Sequence, residues 1–219
     1  MSISAPLAVV RVLSSDDPEL VDDHGRLLEA RFGLPTVSRC IPDQPHGIHD
    51  DASERRAEPK IVELVRAFAA QGASAVVISC AADPAVAAAR AAVDVPVIGA
   101  GSAAAGVALG LGARIGVLGI RDEAPAPIAA LLGERLTASR RPEGVHTTTE
   151  LRTPEGSRAA RAAAARLVAD GAEVLLLACT GMTSLGLRPV LERELGVPVV
   201  DPVLAAGLLA SYTRPADAS

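Results

Sequence analysis

The sequence predicts an α/β protein of two pseudo-symmetric lobes, each a mostly parallel four-stranded sheet flanked by helices, with the active site in the inter-lobe cleft. Two observations carry this. Apolar runs of strand length alternate with alanine-rich, arginine-studded helical stretches, the pattern of βαβ units building a parallel sheet. The segments GASAVVISC (72–80) and GAEVLLLAC (171–179) are two copies of one design. In each, a glycine opens an apolar run, the run ends at a cysteine, and helix-starting residues follow: Asp83 and Pro84 in the first copy, Thr183 and Ser184 in the second. The chain reads as an internal duplication with one thiol per half. Each thiol is expected at the C-terminal end of a strand, facing a helix N-terminus, where open α/β sheets bind ligands.

In order, strands are expected at residues 7–13, 36–41, 75–80 and 95–98 in the first half and at 114–119, 145–149, 174–179 and 197–200 in the second, with helices between. The repeat extends beyond the cysteines. Val95-Pro96-Val97-Ile98 is echoed by Val197-Pro198-Val199-Val200, and residues 8–13 by 114–119. The division falls near residues 101–112. It gives an N-terminal lobe of 1–100, onto which a last helix at 203–213 is expected to pack back, and a C-terminal lobe of 101–202. The tail, 213–219, is expected to fray. The stretch 42–59, which holds His46, His49, Asp50 and Asp51, breaks the regularity and is expected to be a long loop serving as a lid or a subunit contact.

Composition removes several function classes. At 219 residues the chain can bury a sizeable core. A net charge of −5 argues against a nucleic-acid or anionic-membrane surface, and Phe32, Phe68 and Tyr212 are too few to stack bases. No signal peptide or membrane-spanning run is visible. Three cysteines without a short paired spacing fit neither a disulfide framework nor a Cys-x-x-Cys zinc site. The expectation is a cytoplasmic homo-oligomer acting on a small molecule, with no nucleic-acid or membrane partner.

Closing a duplicated fold on itself brings equivalent strand ends together, so Cys80 and Cys179 are expected to face each other. Two opposed thiols suit inversion of a carbon α to a carbonyl. One base removes the proton from one face while an acid returns a proton to the other. A thiol serves in either role, since its ordinary pKa is about 8.5 and a helix N-terminus pulls it lower. Asp83 as N-cap and Pro84 at the first helical position would fix that terminus behind Cys80. The amides of Ala81, Ala82, Thr180 and Gly181 would hold the enolate oxygen. This chemistry requires no metal and no organic cofactor.

Ser79-Cys80-Ala81-Ala82-Asp83-Pro84-Ala85 and Ala178-Cys179-Thr180-Gly181-Met182, with Val95-Pro96-Val97-Ile98-Gly99 and Val197-Pro198-Val199-Val200-Asp201-Pro202, resemble the aspartate/glutamate/hydantoin racemase superfamily, most closely its hydantoin racemases. The resemblance covers about residues 7–212. It implies a pseudo-symmetric two-lobed α/β fold and cofactor-independent racemisation by two thiols. Amino-acid racemases of the superfamily tend to carry Asn-Thr or Thr-Glu after a cysteine to grip an α-carboxylate, where this chain has Ala81-Ala82. The hydantoin branch typically ends its first strand in an Asn-Pro-Asn-Thr-like run. Here Arg11-Val12-Leu13-Ser14-Ser15 stands instead, leaving the Ser14 and Ser15 hydroxyls as donors.

Other features are weighed against plainer readings. A lone buried cysteine is usually a small core residue, which is the reading for Cys40; two at matched strand ends point to function. His46, His49, Asp50 and Asp51 with Cys40 lack a standard metal-ligand spacing and read as a solvated or substrate-covering loop. Gly99-Ala100-Gly101-Ser102 lacks a phosphate-loop fingerprint and reads as a turn in which Ser102 caps the next helix and touches the ligand. Arg11 is either a surface or inter-lobe charge or the one cation near the site. With Ser79, these complete the candidate substrate-binding set. The alternatives to a hydantoin-type racemase are an aspartate/glutamate-type racemase and a non-catalytic small-molecule binder or thiol redox protein on the same fold.

Overall fold

The computed structural model describes residues 5–213; most of the tail expected to fray lies outside the described residues. Its first half runs β1 (Leu7–Arg11), α1 (Pro18–Phe32), β2 (Thr36–Cys40), α2 (Asp51–Ala70), β3 (Ala75–Ser79), α3 (Val86–Arg90) and β4 (Val97–Gly99). After α4 (Ala100–Leu111) come β5 (Ile115–Leu118), α5 (Ala126–Leu132), β6 (Leu136–Arg140), α6 (Pro154–Ala169), β7 (Val174–Leu177), α7 (Gly181–Ser184), α8 (Leu187–Leu195), β8 (Val199–Val200) and α9 (Pro202–Ser211). The strands form two four-stranded sheets, all parallel, in the orders β2-β1-β3-β4 and β6-β5-β7-β8. Identical strand order in both is what a duplication produces.

Period-two alternation divides each strand's side chains between two cores. Leu7, Val9, Ala75 and Val77 of the first sheet and Ile115, Val117, Val174 and Leu176 of the second share one core with Leu28 of α1, Ile128 of α5 and the small residues of α4 and α9. The alternate positions face outward. Ala8, Val10, Val76 and Ile78 pack under α2 through Ala57, Ile61, Val65 and Phe68, and Leu175 and Leu177 pack under α6 and α8 through Ala164, Leu167 and Leu191. A helix in the shared middle layer must be apolar on more than one face and thin enough for close approach, which accounts for the alanines and glycines of α4 and α9. A Cβ on Gly207 of α9 would lie 2.3 Å from Leu28 and 2.7 Å from Phe32, both on α1.

Local signals set the element ends. Pro18 opens α1, Asp17 accepts from the Glu19 N–H, and Gly33 closes the helix at φ 64°. Three expectations are corrected. The sixth strand is 136–140, not 145–149. The β-branched run at 145–149 finds no partner strand, because the Glu150 carboxylate accepts from the His146 and Thr147 N–H groups and folds it into a turn. The second half of the supposed loop at 42–59 is helix: Asp50 and Ser53 form a reciprocal capping box that starts α2, and Pro59 sits inside that helix. Asp83 does not cap α3, which begins three residues later behind Ala85 in the left-handed region.

Candidate active site

The C-terminal ends of β1 and β3, and of β5 and β7, are where neighbouring crossovers run in opposite directions, the switch points at which open parallel sheets form crevices. Both switch points open onto one pocket. Its lining comes from 11–14 after β1, 79–82 after β3, 119–121 after β5 and 178–181 after β7, joined by 45–48 and by Thr148, Thr149 and Arg152.

Cys80 and Cys179 are buried in that lining, each just past its strand. Burial pushes the Cys80 thiol up to about 12, and the Ala82 N–H pulls weakly the other way. Burial also raises Cys179, but three donors oppose it: the Thr148 hydroxyl, 3.7 Å from Sγ, and the Gly181 and Met182 N–H groups at the start of α7. The expected lowering of both thiols by helix N-termini is therefore corrected: desolvation outweighs the amides. The helix after Cys80 starts too far along the chain to reach it.

Of the four amides expected to hold an oxyanion, Ala82 and Gly181 turn to the sulfurs instead. Those of Ala81 and Thr180, each one residue past a cysteine, line the pocket with no hydrogen-bond partner among the described residues. Ser14 lines the pocket, but its hydroxyl donates to the Ile41 carbonyl at 2.9 Å and accepts from the Gln44 N–H at 2.6 Å, anchoring the loop. Ser15 is off the lining and accepts from the Asp17 N–H at 3.1 Å. Ser102 is off it as well, with its hydroxyl on the Gly99 carbonyl. Its N–H and that of Gly101 donate to Asp83 at 2.7 and 2.6 Å, so Asp83, not Ser102, caps α4.

Arg11 resolves as a buried charge that pairs with Asp23 of α1, although it also borders the pocket. Cys40 is half-buried, with burial raising its thiol. Among the described residues no group of three or more His, Cys, Asp or Glu side chains could hold a metal. His46 lines the pocket mouth, whereas Asp51 pairs with Arg121 of the other half at 2.7 Å and the His49 carbonyl accepts from the same guanidinium at 3.3 Å. The sequence reading passed over Arg121, Thr148 and His24. For His24 the signal existed: it lies four residues before Leu28 on the buried face of α1.

The Asp/Glu/hydantoin racemase family model matches residues 26–210. The chain belongs to that family. It is 33% identical over 177 residues to a hydantoin racemase of Rhizobium meliloti, covering 78% of this chain and 73% of that one. It is 32% identical over 197 residues to a hydantoin racemase of Pseudomonas sp. (strain NS671), covering 84% and 75%. Among solved structures, allantoin racemase from Klebsiella pneumoniae superposes with a TM-score of 0.82 at 25% identity, over 95% of this chain and 87% of that one. A glutamate racemase from Bacillus anthracis shares the fold, with a TM-score of 0.67 at 17% identity, over 95% and 81%. Membership makes this protein a racemase, an isomerase. Among the described residues no helix is long and apolar enough to cross a membrane.

Proposed function

We propose that this racemase inverts a carbon α to a carbonyl in a hydantoin or similar uncharged amino-acid derivative, without a cofactor, using Cys80 and Cys179 on opposite faces of that carbon. The observation that carries the reading is that the two thiols, at equivalent strand ends of two equivalent sheets, line one pocket.

The sulfur with the more hydrogen-bond donors ionises first. Burial raises both thiols, but Cys179 has the more donors opposing it, so in the working form Cys179 is the thiolate and Cys80 the thiol. From one enantiomer, Cys179 takes the Cα proton, the electron pair passes to the carbonyl oxygen as an enolate, and Cys80 delivers its proton to the far face. The other enantiomer runs the same path backwards. The free N–H groups of Ala81 and Thr180 are placed to donate to the enolate oxygen, where fixed dipoles in a dry site act most strongly. Ala81 and Ala82 offer no charged side chain, which favours a neutral ring over a free α-carboxylate.

One observation favours the amino-acid reading. Arg152 borders the pocket beside Thr148 and Thr149, and among the described residues its guanidinium has no ion-pair or hydrogen-bond partner. A substrate carboxylate could pair with it. Polarimetry decides: single enantiomers of 5-substituted hydantoins should lose rotation far faster than aspartate or glutamate. Faster turnover of the dicarboxylic amino acids, abolished in Arg152→Ala, would replace the first reading with the second.

A further inference from the structure

His24 is almost wholly buried and lies where the two halves meet. Its Nδ1 is 2.8 Å from the Ser79 hydroxyl, and its Nε2 is 3.1 Å from the Thr180 carbonyl and 3.1 Å from the Ser184 hydroxyl. Ser79 immediately precedes Cys80 and Thr180 immediately follows Cys179, so one imidazole spans the flanks of both thiols. The Thr180 hydroxyl closes the span by donating to the Ser79 carbonyl at 3.2 Å.

The partners assign the proton. A carbonyl only accepts, so Nε2 carries the hydrogen and Nδ1 accepts from the Ser79 hydroxyl. The Ser184 hydroxyl donates to Asp23 and is left to accept from Nε2; Asp23 also accepts from its own neighbour's N–H, that of His24, at 2.6 Å, and pairs with Arg11. Every hydrogen in this chain of contacts has a single direction, from Ser79 through His24 to Thr180 and from Ser184 to Asp23. A fully satisfied buried network of this kind permits few alternative geometries.

We propose that His24 is a positioning residue for the racemase: by bonding the flanks of both cysteines at once, it sets the separation and facing of the two thiols. The inference rests on the two-thiol reading. Inversion needs both sulfurs aligned on one carbon, whereas exchange of the Cα hydrogen with solvent on one face needs only one. Misplacement by about 1 Å costs roughly 100-fold in a reaction that depends on alignment. Loss of the clamp should therefore depress inversion much more than exchange.

The test uses the full chain and the two enantiomers of 5-methylhydantoin in D2O, following deuterium uptake and loss of optical rotation together. His24→Leu is expected to invert roughly 100-fold more slowly, with KM little changed and the ratio of exchange to inversion raised about tenfold or more. His24→Gln, which can still donate to the Thr180 carbonyl, should recover part of the loss. Where the Leu variant does not fold, Gln and Asn carry the test, since Asn keeps a polar contact to Ser79 and Gln one to Thr180. Each should raise the ratio. Inversion at the wild-type rate, or exchange and inversion falling in equal proportion, overturns the proposal. A crystal structure of His24→Gln provides a reading independent of turnover: the Cys80 to Cys179 sulfur separation should change, and an unchanged separation also overturns it. If the wild-type enzyme exchanges on one face only and never inverts, the two-thiol reading fails, while the sulfur separation still judges the clamp.

Discussion

After β3 the chain reaches Cys80 and turns away through two left-handed residues, Asp83 and Ala85, before a short helix begins at Val86. After β7 it passes Cys179 and enters α7 within two residues. The strands are equivalent, but the exits are not. One amide reaches the Cys80 sulfur; two amides and a hydroxyl reach that of Cys179. The helix caps differ in a related way. In the second half Asp201 directly precedes α9 and caps it through the Val203 and Leu204 N–H groups at 2.9 and 3.0 Å. In the first half the matching position is Gly99, and the carboxylate comes from Asp83 in the cysteine loop, in the space a Gly99 side chain would fill. Duplication thus fixed where the thiols sit, and the loops fixed how readily each one ionises. Spending the Asp83 loop on a helix cap leaves Cys80 with fewer donors.

The comparison breaks most severely at the sulfurs. Serine at either Cys80 or Cys179 should lower inversion by ~10³-fold or more, since a hydroxyl is far too weak an acid to replace a thiol in either role. Polarimetry with a hydantoin checks this, and appreciable inversion by either variant would refute a two-base path.

Exchanging the cap solutions is the next largest effect. Gly99→Asp puts a Cβ 2.5 Å from the Asp83 carboxylate and a second negative charge beside it, an overpacking cost of about 3 kcal/mol. Adding Asp83→Ser gives the first half the arrangement of the second and should recover most of that loss in a denaturant titration. If the double variant is no more stable than the single one, the two caps are not interchangeable.

His24 joins the halves and has its own pH signature. Burial, then the nearby Arg11, hold it down to about 3 from its ordinary 6.5. Between those values the unfolded chain binds a proton that the folded chain does not. Stability is therefore lost as pH falls below 6.5, by about 2 kcal/mol at pH 5. His24→Gln lacks this contribution, so the two stability curves should converge in acid; parallel curves would mean that His24 titrates normally in the fold.

Thr148→Val is the mildest test and the most specific to Cys179. Losing a hydroxyl beside a thiolate costs about 1.5 kcal/mol, roughly tenfold in rate, with little change in melting temperature. Because the thiolate is the base, activity should rise with pH, and this variant should need a higher pH to reach half its plateau. An unshifted profile would mean that Cys179 is not the first thiol to ionise.

The buried strands were legible because they are nearly continuous apolar runs, and the repeat paired them across the halves. β6 was not, because 136–140 is half-exposed and lacks a β-branched run, while 145–149 looked more strand-like and had no partner. The capping box of Asp50 and Ser53 was present in the sequence, masked by the prolines on either side. Both thiols and their flanking amides were visible as motifs. Arg121 and Thr148 were not, because each acts on a residue distant in sequence; His24 is marked only by its spacing on the buried face of α1, which says nothing of the partners it joins. The thiol pKa values were misjudged because helix starts can be read from sequence, whereas the desolvation that outweighs them comes from packing of the whole pocket.

The central claim, that each half supplies one thiol for one face of the same carbon, is tested most directly by deuterium labelling in the Cys80→Ser and Cys179→Ser variants. Each enantiomer of a slowly racemising hydantoin is incubated in D2O, and Cα exchange is followed by NMR while optical purity is followed in parallel. The account predicts that each variant exchanges one enantiomer only, that the two variants choose opposite enantiomers, and that neither inverts at a significant rate. If both variants exchange the same enantiomer, or either one racemises, the two thiols do not serve opposite faces.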